Sequence, residues 1–208
     1  MTTALITGGT AGIGHAFAAE FARRGHRLVL VARDAGRLSA VAAEMKQLGA
    51  PEVEVLPADL STADGRAAVE QRLQSSGAQD LPPVDILVNN AGFGMTAAFS
   101  RSSVEDEDNL LEVHVRATMR LTHAAVPGML ERGRGAIINV ASMAAFVPRG
   151  TYSAAKAWIV TFSESVAAEV RDRGVRCMAL CPGFTHTEFH QRAQVDTGDI
   201  PGWMWLNA

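Results

Sequence analysis

The most chemically suggestive stretch of this chain is Tyr152-Ser153-Ala154-Ala155-Lys156, where a phenol and an amine stand four residues apart. On a helix that spacing is about one turn, so both groups lie on the same face. A phenol titrating near its ordinary value of about 10 is a poor acid or base at neutral pH, and an ammonium one turn away stabilises the phenolate and brings it toward the working range. The pair predicts proton transfer at an oxygen. Alone it carries little weight, because Tyr and Lys four apart arise by chance on many helices. Ser142 adds a hydroxyl ten positions earlier, directly behind the apolar run Ala136 to Ala141.

These side chains need a scaffold that sets a strand end beside a helix start. The chain has 208 residues, 48% hydrophobic and 20% charged, enough for one good core, and it reads as a single domain over 1–208. Strand-like and helix-like stretches alternate throughout, which predicts an α/β fold built on a doubly wound parallel sheet. Strands are expected at Thr3 to Thr7, Arg27 to Ala32, Glu52 to Leu56, Asp85 to Asn89, Ala136 to Ala141 and Val175 to Leu180. Helices are expected at Gly12 to Arg24, Asp34 to Leu48, Thr62 to Ser75, Val104 to Arg132 with breaks and a kink at Pro127, and Thr151 to Asp172. Gly25, Gly49, Gly133 and Gly174 stand where helices must end on a left-handed residue. Ile159, Phe162, Val166 and Val170 make a core stripe, and Ser75 to Pro83 is a connecting loop. The acidic run Glu105 to Asp108 suits the positive end of a helix and solvent, and receives no function.

Composition excludes several classes. The net charge is −3, and neither a basic stripe nor interleaved aromatics suggest nucleic acid. Thr2 to Thr7 lacks a basic leader or an apolar stretch of spanning length, which predicts a cytoplasmic protein without membrane partners. Cys177 and Cys181 share a strand face roughly 13 Å apart, so they are expected as reduced core thiols.

After the first strand, Thr7-Gly8-Gly9-Thr10-Ala11-Gly12-Ile13-Gly14 leads into a helix. Glycines permit the tight turn and let backbone N–H groups approach a pyrophosphate that the helix N-terminus attracts, so a dinucleotide is the expected ligand. The end of the second strand, where an NAD site places an acid for the ribose hydroxyls, holds Ala32 and then Arg33. A guanidinium matches a 2′-phosphate, which favours NADP(H), with NAD(H) second. Asp34 is expected to cap the next helix in preference to touching ribose. Asp59, before Leu60, has two readings: acceptor for the adenine amine, or cap for the helix at Thr62.

With these residues assembled, the chain resembles the short-chain dehydrogenase/reductase family over nearly all its length. The resemblance rests on Thr7 to Gly14, Asp59-Leu60, Asn89-Asn90-Ala91-Gly92, Ser142, Tyr152 to Lys156, and Pro182-Gly183-Phe184-Thr185-His186-Thr187. It implies a Rossmann fold and hydride transfer between NADP(H) and a carbonyl or alcohol, with Tyr152 moving the hydroxyl proton. Ser142 would donate to the substrate oxygen, and Lys156 would hold the nicotinamide ribose and lower the Tyr152 pKa. The cofactor would meet Thr7, Gly8, Thr10, Gly12, Ile13, Gly14, Arg33, Asp59 and Leu60 at one end. Asn90, Ala91, Gly92, Tyr152, Lys156, Pro182, Gly183, Thr185 and Thr187 would meet the rest of it. Asn89 would brace the sheet.

Three departures stand out. Where the family usually has an asparagine that holds a water in a relay to the lysine, Leu111 to Arg116 places His114. His114 has two readings: a buried structural histidine, or a relay member titrating near neutrality. The interval from Ser142 to Tyr152 is shorter than usual, which trims the loop Met143 to Gly150. The chain ends at Ala208, with 183–208 expected as the substrate loop and the family's last helix and edge strand expected to be missing.

Phe93, Met95, Phe146, Phe184, Trp203 and Trp205 are expected as apolar pocket walls for a lipophilic carbonyl or alcohol, with Trp203 and Trp205 packed under a lid, on substrate or on another subunit. His186 and His190 lack a third ligand, so no metal site is expected. The resemblance implies a homodimer or homotetramer through the two long helices, with Ala154, Ala155 and Ala157 allowing close approach. The alternative function is a non-catalytic NADP-binding sensor or scaffold, against which Ser142, Tyr152 and Lys156 together argue.

Overall fold

The computed structural model describes residues 2–75, 81–95, 97–187, 201–202 and 205–207. Six strands form one parallel sheet: β1 (Thr3–Thr7), β2 (Arg27–Ala32), β3 (Val53–Pro57), β4 (Ile86–Asn89), β5 (Gly135–Val140) and β6 (Val175–Leu180). Their spatial order is β3-β2-β1-β4-β5-β6, so the winding reverses between β1 and β4. In open α/β sheets such a reversal opens a crevice at the carboxyl ends of the strands.

Alternation along the strands sends successive residues to opposite faces. Leu5, Val29, Leu87 and Ile137 join a core with Val69 and Leu73 of α3 (Ala63–Gln74) and Leu121, Ala124 and Met129 of α5 (Thr118–Glu131). Ile6, Leu30, Val88 and Val140 join a second core with Ala18 and Ala22 of α1 (Gly12–Arg23) and Leu38 and Met45 of α2 (Ala35–Gln47). The sheet is therefore packed on both faces, which explains why its strands read as continuous apolar runs. Gly25, Gly49, Gly133 and Gly174 all have positive φ beyond helix ends, as expected.

The region expected as one interrupted helix is α4 (Val104–Leu111), a π-helical segment Glu112–Ala117, and α5. α5 runs on through Pro127, so the interruption lies at Glu112–Ala117 and not at the proline. The last long helix is α6 (Gly150–Val170), and a short parallel pair, β7 (Phe184–Thr185) and β8 (Trp205–Leu206), lies outside the main sheet. Cys177 and Cys181 are free and half-buried, so neither is a full core thiol. Among the described residues no helix is long and apolar enough to cross a membrane.

Candidate active site

A cleft of about 820 Å³ opens at the carboxyl ends of the strands, lined by residues at or after the ends of the strands, by α4 and the π-helical segment, and by the first two turns of α6. Its floor begins at the glycine loop, where Gly8 (φ +65) and Gly12 (φ +52) take left-handed backbone. Asn90 Nδ2 donates to Thr7 O at 2.9 Å and Gly8 O at 3.2 Å, while Thr7 Oγ1 accepts from the N–H groups of Asn90 (2.9 Å) and Ala91 (3.0 Å). Thr7 and Gly14, expected as cofactor contacts, do not line the cleft; Thr7 ties the loop to the segment after β4, and Gly14 leaves room for the Asn90 amide. A Cβ on Gly14 would stand 2.4 Å from both Asn90 Nδ2 and Gly8 O. Gly8, Thr10, Gly12 and Ile13 do line it, and a Cβ on Gly12 would come within 2.9 Å of Thr187 Cγ2 across it.

Arg33, Asp59 and Leu60 line the cleft beside Arg37 and Ser61. Asp34 caps α2 by accepting from Arg37 N–H at 2.9 Å, as expected. The cap of α3 is Thr62, not Asp59, and the Asp59 Oδ1 accepts from Ser61 N–H (3.0 Å) and Ser61 Oγ (2.8 Å). Burial opposes ionisation of Asp59, but the Ser61 donors and the Arg33 charge outweigh it and hold the carboxyl below its ordinary range.

Ser142, Tyr152, Lys156 and His114 also line the cleft, with Pro182, Gly183, Thr185, Thr187 and the backbone from Asn90 to Gly92. Ser142 stands two residues past β5 and accepts from Ala144 N–H at 3.1 Å; its hydroxyl is hydrogen-bonded to the Tyr152 phenol. Lys156 is buried, with Nζ donating to Val140 O at 2.8 Å and standing 5.7 Å from the Tyr152 ring centre. Burial pushes the Tyr152 phenol up to about 12, partly offset by Ser142. Burial likewise lowers Lys156 to about 7, against a small opposing effect of Cys181. The expected lowering of Tyr152 by Lys156 is thus absent in this arrangement, because burial dominates both groups and the amine is turned to a strand carbonyl.

His114 sits in the π-helical segment, 1% exposed and edge-on to Tyr152 with ring centres 5.6 Å apart. Its Nε2 lies 2.9 Å from Phe93 O and 3.0 Å from Phe93 N, while Nδ1 is buried without a hydrogen-bond partner. Burial first, then the Lys156 charge, hold the imidazole well below its ordinary pKa against the Phe93 backbone. Titration near neutrality is therefore not what the structure supports; the ring is neutral there. A Cβ on Gly92 would meet His114 Cε1 at 2.5 Å, so this glycine makes room for the larger side chain.

A dinucleotide fits these residues. The glycine loop presents backbone without side chains toward the cleft at the start of α1, and a guanidinium and a carboxylate stand at the same end.

Phe93 and Met95 line the cleft, but Phe146, Phe184 and Trp205 do not. Phe146 is 62% exposed, and Trp205 packs on Phe184 and stacks on His186 at 4.7 Å. Trp203 and His190 lie outside the described residues, among which no three metal-ligating side chains cluster. Asn89 Nδ2 donates to Thr122 Oγ1 and Asn139 Oδ1, bracing β4 against β5 and α5. Sequence reasoning missed Arg37, in the first turn of α2, and Asp106, Asn109 and Val113, whose steps of three and four could have marked one cleft-facing stripe.

The pattern described as short chain dehydrogenase matches residues 2–197. The chain belongs to the short chain dehydrogenase family. It is 38% identical over 173 residues to a very-long-chain 3-oxoacyl-CoA reductase of Laccaria bicolor, covering 81% of this chain but only 50% of that protein. A short-chain dehydrogenase from Sphingobium yanoikuyae, solved in complex with NADPH, superposes with a TM-score of 0.92 at 38% identity, covering 99% of this chain and 79% of that one. The bulky-bulky ketone specific alcohol dehydrogenase from Comamonas testosteroni gives a TM-score of 0.85 at 34% identity, covering 89% and 74%. In this short chain dehydrogenase the Ser142 hydroxyl follows β5, and the Tyr152 phenol and Lys156 amine stand on the first two turns of α6, all three in the cleft at the carboxyl ends of the strands.

Proposed function

We propose that this chain is an NADP(H)-dependent oxidoreductase that interconverts a ketone or aldehyde with an alcohol. The observation that carries the reading is the meeting of Ser142, Tyr152 and Lys156 in one cleft with Arg33 and Asp59. The bound dinucleotide supplies the hydride for a carbonyl carbon. Tyr152, kept protonated at neutral pH by burial, donates its proton to the carbonyl oxygen as negative charge builds there. Ser142 turns its hydroxyl proton from Tyr152 to the same oxygen and stabilises that charge. Lys156 holds the ribose hydroxyls of the nicotinamide half. His114 donates from Nε2 to Phe93 O and offers Nδ1 as acceptor to a water beside Lys156, in the place of the family's asparagine.

Thr10, Gly12 and Ile13 hold the pyrophosphate, Arg33 the 2′-phosphate and Asp59 the adenine amine, while Asn90 to Gly92, Pro182, Gly183, Thr185 and Thr187 wall the cofactor. Phe93 and Met95 favour a lipophilic carbonyl, and the names of the Laccaria and Comamonas relatives support that choice. The whole of 1–208 acts as one cytoplasmic domain that assembles as a homodimer or homotetramer through α5 and α6; Ala154 and Met119 offer exposed positions there, whereas Ala155 is buried. The test is NADPH oxidation with a panel of aliphatic, aromatic and acyl-thioester ketones. Turnover of any member supports the enzyme, and tight NADPH binding with no turnover of all of them supports the scaffold instead.

A further inference from the structure

Arg66, in the first turns of α3, is buried although it faces neither solvent nor cleft. Its Nη1 donates to Leu60 O and Ser61 O, each at 2.9 Å, and lies 2.7 Å from Glu112 Oε2. Glu112 opens the π-helical segment, and its other oxygen is held 2.7 Å from Arg116 Nε. One guanidinium thus joins two separate stretches of the cleft lining: Asp59 to Ser61 on one side, and Val113 with His114, which directly follow Glu112, on the other. Gly65 lets the strap sit so close, since a Cβ there would stand 2.0 Å from Asp59 O. Burying a guanidinium is costly, and well-packed apolar side chains in place of such a pair often stabilise a fold as well. What this arrangement gains is position: two carbonyls after β3 and the carboxylate at the start of the π-helical segment, held as an ion pair, all converge on the one nitrogen Nη1. π-helical turns occur frequently at functional sites, and Glu112 opens the one beside this cleft.

We propose that Arg66 and Glu112 are positioning residues that set the spacing of the adenosine end of the cleft and thereby tune affinity for that half of the cofactor. The inference rests on the dinucleotide reading of the cleft. Neither side chain touches the cofactor; both act through Leu60, Ser61 and Val113, while His114 at the Tyr152 end has its own anchor on Phe93 O at 2.9 Å.

The test compares the wild-type chain with Glu112→Gln and Arg66→Lys using two half-cofactors. Adenosine 2′,5′-bisphosphate probes the adenosine end, and reduced nicotinamide mononucleotide, as hydride donor for a carbonyl substrate, probes the other. Glu112→Gln keeps the shape and an acceptor for Arg66, so it remains informative even where Arg66→Lys folds poorly. Both variants are expected to weaken adenosine 2′,5′-bisphosphate and NADPH by about tenfold, while turnover with the mononucleotide stays within about twofold. Unchanged affinity for the bisphosphate overturns the proposal, as does an equal loss with both halves, which would mark a merely structural pair. Wild-type chain that binds neither NADPH nor the bisphosphate overturns the dinucleotide reading, and the proposal with it.

Discussion

Lys156 Nζ donates to the carbonyl oxygen of Val140 at 2.8 Å, so the amine one turn from Tyr152 is anchored to the strand that ends beside Ser142. This bond ties α6 to β5 and holds an ionisable amine away from water. Burial separates the two titrations: it pushes the phenol up to about 12 and the amine down to about 7.

Reduction draws on the protonated phenol, present well above neutrality, and on the ammonium of Lys156, present only below about 7. The value of kcat/KM for NADPH, which reports the free enzyme, is therefore expected to fall as pH rises through about 7. Residual activity of Lys156→Arg should lack that fall, because a guanidinium stays charged. Tyr152 is the chain's one tyrosine, so tyrosinate absorbance reads it directly. A native protein that develops the absorbance at about pH 10, where a free phenol titrates, would contradict the burial argument.

Arg33 beside Asp59 is the charge expected to choose between cofactors. Arg33→Asp replaces attraction for a 2′-phosphate with repulsion and should cut the preference for NADPH over NADH by about a hundredfold. The ratio of kcat/KM for the two cofactors measures it, and an unchanged ratio would remove Arg33 from the site.

Gly14→Ala places a methyl group 2.4 Å from Asn90 Nδ2 and Gly8 O. The glycine loop must give way, at a cost of about 1–3 kcal/mol to stability or by losing its shape. A thermal melt and an NADPH titration together should show a lowered Tm or a loss of binding; a variant that matches wild type in both would show that the room Gly14 leaves is dispensable.

His114 is neutral at working pH, so it contributes a fixed hydrogen-bonding shape and not a titration. His114→Asn, which restores the family's usual residue, is expected to keep the shape of the pH profile and change kcat by less than about tenfold. A profile that loses a limb near neutrality would return the histidine to the role of proton carrier.

How far the sequence carried the structure differs by element. The strands were legible because they are short apolar runs, β1 and β2 almost wholly buried and the edge strands β3 and β6 less so, and Gly174 and its counterparts mark helix ends through a backbone conformation only glycine adopts readily. The π-helical segment was not legible: Pro127 is a visible breaker, whereas the turn at Glu112–Ala117 carries long-range contacts, His114 to Phe93 and Glu112 to Arg66, that no local pattern records. Motif residues were legible as a set, but their division was not. Thr7 and Gly14 carry motif letters yet support the loop from behind, and Arg37 and Asn109 face the cleft with no motif to announce them. The perturbed pKa values were hidden for a related reason, since burial is a property of the whole fold and the Tyr152 to Lys156 spacing expresses only their mutual attraction.

The most direct measurement sets Tyr152→Phe beside the wild-type chain, following NADPH binding by fluorescence and carbonyl reduction by NADPH oxidation. The expected result is NADPH affinity within about twofold and turnover lower by roughly 10²–10⁴-fold, the contribution of a positioned proton donor. Turnover by Tyr152→Phe at the wild-type rate would contradict the assignment of Tyr152 as the proton donor.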